Sequence, residues 1–185
     1  MFCVAYIVGT FESTLNEHYM TGKNFVLTQE AAQEKLHRMA LEIAENLSED
    51  EVPLVLIGIR QSGMVIAEKL SAYLLRYVKV FVQIISATFD KHLPVDVILS
   101  EAIDFTGKNV IVVDDVTNTG RTLMYALKPL LDFHPKRIQT LVLVERMHKL
   151  FPIKPDYVGV SVATTLQDHI QVLVEDGEVT GAYVA

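Results

Sequence analysis

Apolar residues recur at two different spacings along the chain, and these spacings predict alternating strands and helices. Short continuous apolar runs are typical of strands that a parallel sheet buries on both faces. One such run occupies residues 54–59, and further strands are predicted at residues 78–85, 109–113 and 138–144. Apolar residues three and four positions apart predict amphipathic helices between them, the first opening at the N-cap residue Thr28. These helices are predicted at residues 29–48, 66–77 and 123–133.

The C-terminal part of the chain follows a different pattern. Beyond Pro155 lie three short β segments at residues 157–163, 170–175 and 179–184, and Asp176-Gly177 has the residues of a two-residue hairpin turn. Repeated strand–helix–strand units imply right-handed crossovers. The sequence therefore predicts an α/β fold, with a mainly parallel sheet flanked by helices and a small β-rich unit from the C-terminal part. Ligands of such sheets bind beyond the carboxyl ends of the strands.

Length and composition narrow the class of protein. A chain of 185 residues corresponds to one domain. Its 16 basic and 23 acidic residues give a net charge of −7, which provides no overall attraction to nucleic acid. The single cysteine, Cys3, excludes an intrachain disulfide and fits a reducing, cytoplasmic compartment. No apolar run approaches the roughly 20 residues of a membrane-spanning helix, so no membrane partner is expected.

The first nine residues are apolar but lack the basic start of a secretory signal. They fit an additional edge strand, or part of an extension upstream of a natural start at Met20.

Residues 110–122, V-I-V-V-D-D-V-T-N-T-G-R-T, carry the clearest chemistry. A buried strand is predicted to end in Asp114 and Asp115, and a polar loop leads to a helix. Backbone N–H groups in such a loop, with Gly120, threonine hydroxyls and a helix N-terminus, form a cradle for a monophosphate without a dedicated lysine. Ionised carboxylates accept hydrogen bonds from ribose hydroxyls and stabilise positive charge on the sugar. Together these features predict a ribose-5-phosphate site.

Other interpretations of the same residues exist. Paired aspartates at a strand end also hold Mg²⁺ in phosphoacceptor receiver domains, but those place a lysine on a later strand, and residues 138–144 contain none. The carboxylates can also simply solvate a strand end. The chain contains neither G-x-x-x-x-G-K-[ST] nor G-x-G-x-x-G, which argues against a P-loop and a dinucleotide site.

Residues 110–122 resemble the phosphoribosyl-pyrophosphate (PRPP) signature of type I phosphoribosyltransferases. Residues 55–70 and 138–165 resemble the PyrR group, the pyrimidine-operon attenuators that also have uracil phosphoribosyltransferase activity. The resemblance spans most of residues 22–175. It implies that residues 1–19 are an N-terminal extension, and that residues 20–185 form a single domain with a Rossmann-like core and a hood made mainly by residues 145–185.

The resemblance implies that Mg²⁺-bound PRPP transfers ribose-5-phosphate to a base and releases pyrophosphate. Asp114 and Asp115 would hold the ribose hydroxyls as the catalytic residues, and Mg²⁺ would be held through PRPP and bridging water rather than by direct protein ligands. Residues 86–100 would close over the site. The 5′-phosphate would be bound by Thr117, Asn118, Thr119, Gly120, Arg121 and Thr122, the pyrophosphate by Arg60, Gln61, Ser62 and Gly63, and the base by Val158, Gly159 and Val162.

Three positions depart from the family pattern. Ser62 replaces the usual arginine of the pyrophosphate loop, Met147 replaces a glycine, and residues 86–90 lack an Arg-Asp-Asp run. The expected function is transfer to a pyrimidine such as uracil by a homodimer or larger homo-oligomer. The alternative is a PRPP- or nucleotide-sensing regulator that binds RNA with little catalysis. Candidate RNA contacts are Lys35, Arg38, Lys136, Arg137, Arg146 and Lys149.

Overall fold

The computed structural model describes residues 24–89, 96–165 and 167–185. The proposed extension, residues 1–19, and the centre of the expected closing loop, residues 90–95, lie outside these ranges. The strands are β1 (Asn24–Thr28), β2 (Leu54–Ile59), β3 (Val82–Thr88), β4 (Ile98–Leu99), β5 (Asn109–Thr117), β6 (Arg137–Arg146), β7 (Tyr157–Val162), β8 (Ile170–Glu175) and β9 (Glu178–Val184). The α-helices are α1 (Gln29–Asn46), α2 (Arg60–Leu74) and α3 (Arg121–Ala126), and a short 3₁₀ helix spans Lys128–Leu130.

Two sheets organise these elements. The larger has six strands in the order β4-β3-β2-β5-β6-β7, and all neighbours are parallel except β3 and β4. The smaller sheet is antiparallel, in the order β1-β9-β8. This arrangement confirms the predicted α/β class with a mainly parallel sheet. Among the described residues, no helix combines the length and apolar character needed to cross a membrane.

The large sheet is buried on both faces because its central strands are apolar on both. Every residue of β2 is buried. One face packs against α1 and α2 through residues that include Leu36, Ile66 and Val113, and the other packs against α3 and Phe105. Helix α1 begins where the sequence predicts, with the Thr28 hydroxyl accepting a hydrogen bond from the Ala31 N–H at 3.2 Å.

Strand β7 corrects one prediction about the C-terminal part. Residues 157–162 do not join the β-rich unit but form the edge of the large sheet, parallel to β6. The small sheet takes its third strand from β1 instead, which pairs with β9 through Asn24↔Val184. Strand pairing is a long-range property, so the sequence of an edge strand does not show which sheet it joins.

Several predicted boundaries are also wrong. Strand β5 extends through Asp114 and Asp115 to Thr117, because its ladder with β6 continues to Glu145. Residues 60–63, expected to be a loop, form the first turn of α2. The strand predicted at residues 78–85 begins only at Val82. The helix predicted at residues 123–133 ends at Ala126 and is followed by the 3₁₀ turn that contains Pro129, a residue with no backbone N–H to continue a helix.

Candidate active site

The residues predicted to bind phosphate, ribose and pyrophosphate meet at one edge of the large sheet. Strands β2, β5, β6 and β7 are parallel, so their carboxyl ends lie at the same edge. Helix α2 starts directly after β2, and only Asn118, Thr119 and Gly120 separate β5 from α3.

The acidic pair lies near the end of β5 in a buried setting. The Asp114 side chain is buried, and one of its oxygens accepts a hydrogen bond from the Asp115 N–H at 3.0 Å. A carboxylate of Asp115 likewise accepts from the Val116 N–H at 2.7 Å. Burial, and then the charge of Asp115, raise the pKa of Asp114 well above its ordinary value, while Arg60 opposes the shift. A cation at this position therefore favours the ionised form of Asp114.

Arg60 lies at the junction of β2 and α2 in a strained conformation. Its φ of 55° is in the left-handed region, which is uncommon for a residue with a β-carbon. Its guanidinium lies 5.2 Å from the centroid of the Phe89 ring, in the segment that follows β3. The electrostatic effect of Arg60 on Asp114 indicates that this predicted pyrophosphate residue lies near the acidic pair.

Gly63 explains how closely α2 approaches β5. A β-carbon at this position would lie 2.6 Å from the Val113 carbonyl oxygen and 3.4 Å from the Asp114 α-carbon. Only glycine fits there without moving the backbone. The first turn of α2, which includes Gln61 and Ser62, is thus packed against the strand that carries the acids.

The predicted phosphate loop has the backbone of an anion cradle. Gly120 adopts a φ of 84°, and a β-carbon there would lie 2.6 Å from the Ile153 side chain. Within the described chain, the backbone N–H groups of Asn118, Thr119 and Gly120 donate to no protein acceptor. Helix α3 has six residues. Its dipole is correspondingly small, and the loop amides are the principal donors available to an anion.

A segment that sequence analysis did not assign to this loop supports it from one side. The Leu150 and Phe151 N–H groups both donate to the Thr119 carbonyl at 3.0 Å. Lys149 Nζ donates to the Thr117 hydroxyl at 3.3 Å. The sequence marks Lys149 only as a basic residue, a candidate RNA contact, and does not reveal its partner Thr117 on a distant strand.

The residues predicted to contact a base have structural partners in β7. Arg38 on α1 donates to the carbonyl oxygens of Val158 at 2.6 Å and Gly159 at 3.3 Å. A β-carbon on Gly159 would lie 2.4 Å from the Leu143 carbonyl oxygen, so this glycine allows β7 to pack beside β6. Val162 pairs with Arg146 at the carboxyl edge. Of the three, Val162 is the one at the carboxyl end of β7, which is the edge of the sheet where the acidic pair lies.

Arg146 fixes the chain that leaves β7. The residue is 2% exposed, and its guanidinium donates to the Thr164 hydroxyl and the Thr165 carbonyl, both at 2.8 Å. His148 makes a 2.9 Å hydrogen bond with the Thr164 carbonyl. Asp168 accepts from the Thr165 N–H, and this bond lowers the pKa of Asp168. These contacts order residues 164–165 at the same edge as the phosphate loop.

The six cations considered for RNA binding do not form a free basic face. Five of them have partners within the protein, and Arg146 is buried. Arg38 pairs with Glu42, Lys136 with Asp50, Lys149 with Glu145, Arg137 with the Asn46 carbonyl, and Arg146 with residues 164–165.

Comparison with known proteins identifies the family of this chain. The model of the phosphoribosyl transferase domain matches residues 25–176. The bifunctional protein PyrR of Actinobacillus pleuropneumoniae is 38% identical over 160 residues, covering 81% of this chain and 89% of that protein. The bifunctional protein PyrR of Brevibacillus brevis is 36% identical over 170 residues, covering 86% of this chain and 94% of that protein.

Solved structures agree on the fold. The hypoxanthine phosphoribosyltransferase of Trypanosoma cruzi aligns with a TM-score of 0.74 at 21% identity, covering 88% of this chain and 95% of that chain. A hypoxanthine-guanine phosphoribosyltransferase of Bacillus anthracis aligns with a TM-score of 0.68 at 22% identity, covering 88% and 97%. The resemblance inferred from residues 110–122 is confirmed, and the chain belongs to the phosphoribosyl transferase domain family.

Proposed function

We propose that this protein transfers ribose-5-phosphate from PRPP to a nitrogenous base, a pyrimidine such as uracil, and releases pyrophosphate. The observation that carries the proposal is one sheet edge that holds both a carboxylate pair, of which Asp114 is buried, and a loop with unused backbone N–H groups. Family membership and the curated relatives support the reaction class. The extent of the family match, residues 25–176, supports a single phosphoribosyltransferase domain within residues 20–185.

The residues divide between the two ends of the substrate. The amides of Asn118, Thr119 and Gly120 bind the 5′-phosphate, with Thr117, Arg121 and Thr122 completing that end. Asp114 and Asp115 accept hydrogen bonds from the ribose hydroxyls and stabilise the positive charge that develops on the sugar as pyrophosphate leaves. Arg60 and the first turn of α2, residues 61–63, hold the leaving pyrophosphate.

Magnesium would be held mainly by the oxygens of PRPP, beside the two carboxylates. Within the described residues, no group of three or more His, Cys, Asp or Glu side chains could hold a metal. The two carboxylates of Asp114 and Asp115 can accept hydrogen bonds from water molecules on a cation whose other ligands come from PRPP. When bound, Mg²⁺ neutralises the negative charge of the leaving pyrophosphate.

The base would lie beyond the end of β6, between the phosphate loop and the chain after β7. The contacts of Arg146 with Thr164 and Thr165 support this location, because they order backbone groups there. Val162 remains a candidate base contact. The Arg38 bonds and the packing of Gly159 favour a structural role for Val158 and Gly159.

A homo-oligomer is the proposed assembly. Leu75, Tyr77 and Phe81, at and after the end of α2, are 65%, 46% and 69% exposed, and burial of such side chains favours association. Light scattering of the full chain tests this point, and a monomer across the micromolar range would refute it.

Binding and turnover are tested separately. Isothermal titration calorimetry with PRPP and Mg²⁺ should detect binding to the wild type and none to Asp114→Asn or Asp115→Asn. Release of pyrophosphate is then measured with uracil, other pyrimidines and purines. Unchanged PRPP affinity in both variants would refute the site, and a base other than a pyrimidine giving the fastest release would refute the proposed base.

A regulatory function is the second candidate. Ser62 supports it, because it occupies the position just before Gly63 at which the family usually carries a second arginine for pyrophosphate. The internal pairing of five candidate RNA-binding cations argues against RNA as the partner. PRPP binding without pyrophosphate release from any base would favour the regulator over the enzyme.

A further inference from the structure

Three polar side chains form a row across adjacent strands at the candidate site. Thr117 on β5 is in register with Glu145 on β6, and Glu145 is in register with Ser161 on β7. The Ser161 hydroxyl donates to a Glu145 carboxylate oxygen at 3.0 Å. Thr117 and Glu145 are both buried. The phosphate loop therefore begins beside a buried carboxylate, which is unfavourable for binding a phosphate.

Lys149 compensates this carboxylate. Its ammonium lies 3.2 Å from the other Glu145 carboxylate oxygen and donates to the Thr117 hydroxyl at 3.3 Å. The Lys149 side chain is 26% exposed, so its charge is only partly screened by solvent. One cation thus bridges a buried acid and the first residue of the phosphate loop.

The same lysine lines a cavity together with the loop. The cavity has a volume of about 450 Å³, with Asn118 and Thr119 on one side and Arg146, His148 and Lys149 on the other. No carboxylate is among the described residues that line it. Lys149 also lines a second cavity, together with Glu42, Glu145 and Asp156, so it lies between this carboxylate-lined space and the space that the phosphate loop shares.

We propose that the Glu145–Lys149 ion pair sets the affinity of this protein for the 5′-phosphate of its substrate. Lys149 acts as a positioning residue that holds Thr117 and adds positive charge to the loop, and Glu145 reduces that charge. This inference rests on the proposed function, since it assigns the 5′-phosphate to this loop. It adds to the loop amides a cation that lies beyond residues 110–122.

The two members of the pair make opposite predictions. Lys149→Met removes the attractive charge and leaves Glu145 to repel phosphate, so affinity should fall about tenfold. Glu145→Gln keeps the shape and removes the repulsive charge, because the amide oxygen can accept from Lys149 while the amide NH2 donates to the Ser161 hydroxyl oxygen. Affinity should then rise roughly threefold. A purely structural role of the pair would weaken binding in both variants.

The experiment measures binding of ribose-5-phosphate to the full chain by calorimetry, at low and high salt. Lys149→Arg should retain most of the affinity. Lys154→Met is the matched control, because Lys154 is an exposed lysine on the same segment and makes no ion pair in the described structure. In turnover assays, Lys149→Met should raise KM for PRPP and leave KM for the base unchanged. If Lys149→Met fails to fold, the proposal is still tested by whether the affinity for ribose-5-phosphate rises or falls in Glu145→Gln.

The outcomes separate this inference from the proposed function. A wild type that does not bind ribose-5-phosphate at all refutes both. A wild type that binds, with affinity equal in Lys149→Met and Lys154→Met or weakened in Glu145→Gln, refutes only the role of the ion pair. Affinity changes of opposite sign in the two variants, decreasing with added salt, support it.

Discussion

Single residues at the candidate site are held in states that a folded chain disfavours. Asp114 is a buried carboxylate beside another carboxylate, and Arg60 has a φ of 55°. Such features cost stability and are typical of functional sites. Replacing them therefore separates stability from binding.

Asp114→Asn should make the protein more stable at neutral pH while abolishing PRPP binding. The pKa of Asp114 is raised from 3.8, so the native state keeps this proton to higher pH than the unfolded chain does. The free energy of unfolding therefore falls as pH rises from about 4 through the raised pKa. Asparagine removes this penalty, and we expect a gain of about 1 kcal/mol in urea unfolding at pH 7. Equal or lower stability of the variant at pH 7 would contradict this account.

Gly120→Ala should cost both stability and ligand affinity. The new β-carbon would clash with the Ile153 side chain. In addition, the alanine would have to adopt the left-handed backbone conformation that Gly120 has in the native structure. We expect a loss of about 2 kcal/mol and a clear loss of ribose-5-phosphate binding. Gly107→Ala is the matched control, since Gly107 has a φ of 73° with nothing within 4 Å of its would-be β-carbon. A similar loss of binding in both variants would show that contact with Ile153 is unimportant.

Whole elements differ in how far their sequence determines them. Helix α1 was predictable because both of its signals are local, the Thr28 cap and the apolar stripe through Leu36 and Ile43. The acid pair and the loop were found for the same reason, since they are contiguous in sequence. The sheet that β7 joins, and the contact of Lys149 with Thr117, depend on pairing between distant segments. No local pattern encodes them.

Strand β7 provides a test at this scale. Gly159→Ala would place a β-carbon 2.4 Å from the Leu143 carbonyl oxygen. Because this distance is too short, β7 would have to move away from β6. We expect the free energy of unfolding to fall by roughly 2 kcal/mol or more. The measurement is urea unfolding, with the exchange of amide protons in β6 and β7 as a local probe. If the variant is as stable as the wild type but has an altered KM for the base, Gly159 contacts the base, as the sequence predicts.

The molecule as a whole is held together at the edge opposite the candidate site by Asp50. Its carboxylate pairs with Lys136 at 2.7 Å and accepts from the Asn109 amide at 3.0 Å. These contacts join the connection between α1 and β2 to the starts of β5 and β6. Hydrogen bonds from Lys136 and Asn109 lower the pKa of Asp50 from 3.8 to about 2.

Acid should therefore weaken the whole fold in a defined range of pH. Because the unfolded chain binds this proton more readily than the native state, the stabilisation from Asp50 is complete above about pH 4 and is lost as pH falls towards 2. Lys136 is 46% exposed, so solvent screening limits the contribution to about 1 kcal/mol. Asp50→Asn should lower stability at pH 7 and flatten the loss between pH 4 and 2. Asp104→Asn serves as a comparison, since Thr106 lowers the pKa of that carboxylate from within the same turn, without joining distant segments. If the free energy of unfolding falls equally steeply between pH 4 and 2 in Asp50→Asn and in the wild type, other carboxylates govern acid unfolding.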